Sequence, residues 1–381
     1  MTATETGSAR RHMAGALGIY TAGGLFWAFL PFFVGLQVSS GGLSQVQAGS
    51  LGSAYLVGFS AASLTALWWA PTFNWRLLTG VATVSIIAAL LLLAGADAYL
   101  TGLVSIAVVG IMMGSLWSIA YRIFSVSDKP ERSFAIGIVV SYTALAAVSY
   151  VIGQFVVPGY GLTGSAYLLS AVILVLGLSG LLIPSGPDNP DSASSAVAYR
   201  PPLTVAMALL GILATGFAFA AVWTFAERIG VAAGFGSARI SPVIASNLLA
   251  SAAGSVAATL IGTRFGNRMP LFTGMALLLV SILLLTWAGT FWSYALAVAG
   301  LGFSVGFVLP YQMGRLAALD VEGRFAVLIA AAQGIGSACG PILGGVAFDA
   351  GGVRALLILA SLGVLVSTAA FLSILNKGET S

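Results

Sequence analysis

The stretch Arg122-Ile-Phe-Ser-Val-Ser-Asp128-Lys129-Pro-Glu131-Arg132-Ser-Phe134-Ala135 returns later in the chain as Arg315-Leu-Ala-Ala-Leu-Asp320-Val-Glu322-Gly-Arg324-Phe325-Ala326. The shared Arg, Asp, Glu, Arg, Phe and Ala recur at an offset of 191 to 193 residues. Both copies sit between long apolar stretches. A repeat of that length reads as a duplicated unit, which in membrane carriers is the parallel-repeat arrangement with the solute site between two halves.

Outside this pair of breaks the sequence is overwhelmingly apolar. Of 381 residues, 59% are hydrophobic and only 7% charged, too few charges for the polar skin that a water-soluble protein of this size needs. Lipid is the expected solvent. A spanning helix needs about 20 apolar residues, and strand-period alternation is not visible, so the stretches are expected to be helices and not barrel strands. The expected spans are 13–36, 46–68, 77–95, 99–121, 133–157, 163–183, 203–226, 241–262, 270–288, 292–314, 325–348 and 353–375. The fold class is therefore an all-α integral membrane protein of about twelve helices in two pseudo-symmetric six-helix bundles. The polar, Pro-rich break from Ser185 to Pro202 divides residues 1–184 from 203–381 as a linker. Residues 1–9 are small and polar and are expected to be disordered.

Basic residues test the count. With twelve spans, Arg10, Arg11, Arg76, Arg122, Lys129, Arg132, Arg200, Arg264, Arg268, Arg315, Arg324 and Lys377 share one side, leaving only Arg228, Arg239 and Arg354 opposite. By the positive-inside rule both termini are expected in the cytoplasm, in the plasma (bacterial inner) membrane.

Several chemistries are disfavoured. The net charge of +4 is scattered, with no basic stripe for nucleic acid. The two lysines end no phosphate-cradling loop, so nucleotide binding is not expected. One histidine, His12, and one cysteine, Cys339, cannot build the usual zinc sites or an internal disulfide. No cofactor, metal or enzymatic activity is expected, and Cys339 reads as a small packing residue.

Three segments carry a family resemblance. Gly262-Thr-Arg264-Phe-Gly266-Asn-Arg268 resembles the Asp-Arg-x-Gly-Arg signature of the major facilitator superfamily, with Thr263 in place of the aspartate. Its counterpart, Pro71 to Arg76, keeps little beyond the arginine. The eleventh span, Gly334-x-Gly336-x-x-x-Gly340-Pro341-x-x-Gly344-Gly345 followed by Asp349, Gly351 and Arg354, is similar to many members at that place. The Gly-Pro mark of the family's drug:proton antiporters is absent from the fifth span, where Ser149-Tyr150 stands at the equivalent position. The resemblance implies a transporter that works by alternating access on a small solute, coupled to protons. A non-transporting sensor or scaffold on the same fold is the alternative.

Charge at mid-bilayer costs about 2.5–3.5 kcal/mol, so a deep ionisable group would be functional. None lies deep, and Glu227, at the outer end of the seventh span beside Arg228, comes nearest. It is the candidate proton-coupling carboxylate; an interfacial pair with Arg228 is the alternative. Trp27, Tyr55, Tyr142, Trp223, Asn247 and Gln333 are polar or aromatic residues within or near the end of a span and are candidates for contacting solute, unless they bond or pack between helices. Arg122, Asp128, Glu131, Arg132, Arg264, Arg268, Arg315, Asp320, Glu322 and Arg324 are candidates for a cytoplasmic gate, with membrane anchoring as the alternative for the arginines. Gly336, Gly340, Pro341 and Gly344 are expected to form a helix-packing stripe. Lipid and a small solute are the expected partners, and the chain is expected to be monomeric.

Overall fold

Two stretches are helical for too long to cross a bilayer once. In the computed structural model, which describes residues 3–95, 98–127, 130–186, 202–262, 264–319 and 328–375, ten helical stretches are long and apolar enough to span. Arg132–Leu182 runs for 51 residues and Leu328–Ile374 for 47, about 70 Å or more at 1.5 Å per residue against roughly 30 Å of hydrocarbon. Each is broken by glycine. Gly161 leaves helical geometry at φ 55°, ψ −141°, next to a π-helical turn at Ile152–Val156. Gly351 and Gly352 break the second, and Gly352 takes φ 65°, which a side chain would oppose. Dividing both stretches gives the twelve spans expected from the sequence.

The helices are α1 (Ala3–Ser39), α2 (Gln45–Trp69), α3 (Trp75–Ala94), α4 (Tyr99–Ser125), α5 (Pro130–Val151), α6 (Val157–Gly177), α7 (Leu203–Thr224), α8 (Ala226–Ala232), α9 (Ser237–Ile261), α10 (Arg268–Leu284), α11 (Phe291–Leu319) and α12 (Leu328–Leu375). Helix α8 is a short segment and not a span, and α12 holds spans eleven and twelve. Helix α1 begins at Ala3, so the expected disorder of residues 1–9 is corrected from that point. Ala, Glu and Arg propagate a helix readily once a long one is nucleated, and no proline interrupts Ala3–Arg11.

By contacts the chain forms two units, Met1–Phe29 with Ala54–Ser195, and Leu30–Ser53 with Ala196–Ser381. The helices α1 and α2 each begin in one unit and end in the other. Most of the 185–202 connector lies outside the described residues.

The duplication is written into the packing. In the first unit, a methyl added to Gly110 of α4 would strike the Tyr55 carbonyl of α2, and one added to Gly114 would strike that of Phe59. In the second, Gly302 of α11 meets the Asn247 carbonyl of α9 in the same way, and Gly306 meets that of Ser251. All four pairs are related by 192 residues. A third echo pairs Gly24 against Leu145 with Gly216 against Ser337, again 192 apart. Small residues let these backbones touch, the usual means of binding helices where lipid removes the hydrophobic drive.

The expected stripe on α12 packs on α7: Gly336 against Leu213, Gly340 against Phe217 and Ala221, and Gly344 against Ala221 and Phe225. Cys339, between these glycines, is exposed. A helix turns by about 100° per residue, which carries it off the packed face, so its expected packing role is corrected.

Candidate functional site

At the end of α7 opposite the basic loops, the helix breaks at Phe225 (φ −101°, ψ 11°) and resumes as α8. Phe225 is fully buried, and the Tyr294 hydroxyl of α11 donates to the Ala226 carbonyl at 2.8 Å, fixing the start of α8. Glu227 follows, just beyond the span. Its carboxyl group lies against Gly35 of α1, where any side chain would collide with it. One carboxyl oxygen, Oε2, is buried with no hydrogen-bond partner, as is Nε of Arg228. Burial pushes the Glu227 carboxyl up to about 7, against the opposing pull of the Arg228 charge.

Beside this group, α2 begins against α12. Ser44 and Gln47 form a reciprocal capping box: the Ser44 N–H donates to Gln47 Oε1 at 3.0 Å and the Gln47 N–H to Ser44 Oγ at 3.2 Å. The two N–H groups between them are taken up from another span. Gln45 N–H donates to Asp349 Oδ1 at 3.2 Å and Val46 N–H to Asp349 Oδ2 at 3.1 Å. An anionic group at a helix N-terminus is favoured by the helix dipole as well as by these bonds.

One helical turn further, the contact becomes backbone on backbone. Gly345 would place a methyl 2.5 Å from the Gln45 carbonyl oxygen, and Gly49 would place one against the carbonyl of Pro341. Proline at 341 disturbs the local helical ladder, and the next N–H, of Ile342, donates to Ser53 Oγ of α2 at 3.0 Å. Asp349, Ser53 and the facing glycines thus close a seam of polar and backbone contacts without a large side chain. Because two charge-assisted bonds to an exposed carboxylate contribute about 1–2 kcal/mol, Asp349→Ala is expected to shift the balance between closed and parted seam roughly tenfold. Faster hydrogen exchange at Gln45 and Val46 will report it; unchanged exchange would show that Asp349 holds nothing.

The residues singled out in the sequence are placed as follows. Trp27 of α1, Tyr142 of α5 and Gln333 of α12 are half-buried. Tyr55 is buried with its ring 4.9 Å from that of Phe26. Trp223 is buried, its ring parallel to Phe219 at 6.2 Å. The Asn247 amide donates to the Val298 carbonyl at 2.7 Å, so it bonds α9 to α11. Arg122 and Arg315 are half-buried at matching helix ends, and Arg315 donates through Nη2 to the Ile374 carbonyl at 3.3 Å. Arg132, Arg264 and Arg268 are exposed. Gly266, in the loop of the signature-like segment, has φ 68°, a conformation open to glycine. Asp128, Asp320, Glu322, Arg324 and the side chain of Glu131 lie outside the described residues. Sequence reasoning missed Gly35 and Ser53 and treated Asp349 only as part of a resemblance; the Ser44-x-x-Gln47 capping box was the one local signal pointing to the seam.

Comparison with known proteins agrees with this architecture. The nucleoside transporter NupG, crystallised as a point mutant, superposes with a TM-score of 0.77 at 12% identity, covering 96% of this chain and 99% of that one. The human organic anion transporter MFSD10 (TETRAN) superposes with a TM-score of 0.66 at 17% identity, covering 95% and 99%. At such identities the likeness concerns the fold alone. No protein with a curated description matches. The family model of the Major Facilitator Superfamily matches residues 13–314. With most of its length matched and twelve spans arranged as a 192-residue repeat, the chain is an integral membrane protein that belongs to the Major Facilitator Superfamily of transporters.

Proposed function

We propose that this protein is a secondary carrier that moves a small organic solute by alternating access, with protons coupled through Glu227. It works as a monomer in the plasma (bacterial inner) membrane, both termini in the cytoplasm, and catalyses no reaction. The observation that carries this reading is the Glu227 carboxyl, packed against Gly35 of α1 and pushed up to about 7 by burial. Protonated, it is neutral and can rest against Gly35. Ionised, it lacks a partner for Oε2, and a buried unpaired charge favours any state that hydrates it. Proton loss would therefore work against the packing of α1 on α8 and, beside it, the α2–α12 seam. In this reading the seam is the outer gate and the Arg-rich breaks form the inner one.

Trp27, Tyr142 and Gln333 keep accessible surface and are the stronger candidates for contacting solute, whereas Tyr55, Trp223 and Asn247 are buried. A shared fold with carriers of nucleosides and organic anions supports an organic cargo. If one net charge crosses per cycle, about 2.3 kcal/mol is available per 100 mV, enough for roughly a 50-fold gradient. The test is solute accumulation in proteoliposomes under an imposed pH gradient, with and without an uncoupler. Accumulation should collapse with the gradient; uptake indifferent to both would refute coupling.

A further inference from the structure

Four side chains of the first unit make an aromatic, hydroxyl-bearing surface that the gates and Glu227 do not use. The ring of Tyr20 on α1 lies 4.1 Å from Trp117 and 5.6 Å from Tyr121, both on α4, and those two rings are 5.6 Å apart. The Tyr20 and Tyr121 hydroxyls are within hydrogen-bonding reach of each other, and the hydroxyl of Tyr142 on α5 stands near both. Tyr20 is buried, but Tyr121 keeps 41% of its surface, and Trp117 and Tyr142 are half-buried.

The internal repeat shows that the fold does not require this set. At the 192-residue spacing that relates the glycine contacts, the corresponding positions are Ile212, Leu309, Met313 and Gly334. Ile212 there packs in a buried cluster with Val308, Tyr311 and Phe371, and none of the four positions carries an aromatic ring. Aromatic and hydroxyl-bearing side chains at these four positions in one bundle, and at none of their counterparts, point to a ligand. Trp117 and Tyr121 are four residues apart and share a helix face, whereas Arg122 is turned away by about 100°. Among the described residues, no charged group acts on these tyrosines.

We propose that Trp117, Tyr121 and Tyr142, backed by the buried Tyr20, bind the transported solute, and that this solute is a neutral, planar aromatic or heteroaromatic compound with a hydrogen-bonding group at its edge. The assignment rests on the carrier reading above. Flat rings stack on Trp117 and Tyr121. The tyrosine hydroxyls can both donate and accept, so they match either kind of polar edge. A carboxylate or a strongly hydrated cation would lose water here without gaining a counter-ion.

The test is equilibrium binding of labelled probes to the full chain in lipid nanodiscs. Indole-3-carboxamide and quinolin-2-one are the neutral planar probes; cyclohexanecarboxamide, indole-3-carboxylate and N-methylquinolinium are the saturated, anionic and cationic counterparts. At least one neutral planar probe should bind saturably and more tightly than the other three. Trp117→Leu should weaken that binding about tenfold, the loss of one good stacking partner, and Tyr142→Phe by a few-fold with the ring retained, in variants whose melting temperature is near that of the parent. Failure of both neutral probes, preference for a counterpart, or binding untouched by Trp117→Leu overturns the assignment. Flux of a non-aromatic solute that Trp117→Leu does not slow also removes it while leaving the carrier reading intact. Saturable binding lost in Trp117→Leu, with no flux of any probe, removes the carrier reading and keeps the ligand site.

Discussion

Replacing Gly49 by valine is expected to cut transport roughly ten- to a hundredfold while leaving a folded, membrane-inserted protein. At this position even a Cβ collides with the Pro341 carbonyl, and backbone cannot swing aside as a side chain can. Overpacking of this kind costs about 1–3 kcal/mol, which converts to that range of population change. The added methyls leave the intrahelical bonds of α2 unchanged, so the cost falls on the closed seam. Parting it also stretches the bonds from Gln45 and Val46 to Asp349 and from Ile342 to Ser53, which are already 3.0 to 3.2 Å long. The chain has one cysteine, exposed Cys339, so a reporter is simple to build. In a Cys339→Ser background, Ser53→Cys should resist maleimide, because Ser53 is only 8% exposed, and should label readily once Gly49→Val is added. Continued protection with normal flux would show that the seam tolerates the bulk and is not a gate.

Glu227→Gln is expected to abolish gradient-driven accumulation while leaving solute exchange across the membrane. Glutamine keeps the shape of the protonated acid but cannot release a proton. Stability gives an independent readout. The carboxyl is raised in the folded protein from 4.5 to about 7, so the fold binds the proton more tightly than the unfolded chain does. Its stabilising contribution is complete below about pH 4.5 and is lost as pH rises through about 7. The melting temperature of the purified protein should accordingly fall between about pH 5 and 8, and this component should vanish in Glu227→Gln. A variant with the parent's pH profile and undiminished accumulation would remove Glu227 from the coupling step.

The spans were legible because hydrocarbon imposes a length and a composition that no soluble fold shares. The repeat was legible as well, since Arg122 to Ala135 and Arg315 to Ala326 kept their order at the cytoplasm-assigned breaks. Glu227 could be singled out because acids are rare in this chain. Tyr20, Trp117 and Tyr121 could not. Aromatic residues are common in spans, and only the match of Gly110 and Gly114 to Gly302 and Gly306 fixed the register that exposes their absence from the other half. Asp349 was equally hidden: its partners Gln45 and Val46 are 304 and 303 residues away, and no local pattern reaches that far.

The sequence by itself determined the solvent, the number of helices and their duplication, because each is set by the chemistry of about 20 neighbouring residues at a time. Which groups would meet was decided only in three dimensions. Gly35 lies under Glu227 and Asp349 at the start of α2 because glycine-faced helices approach until backbone touches backbone. That distance of approach depends on both partners at once, and neither segment carries it alone.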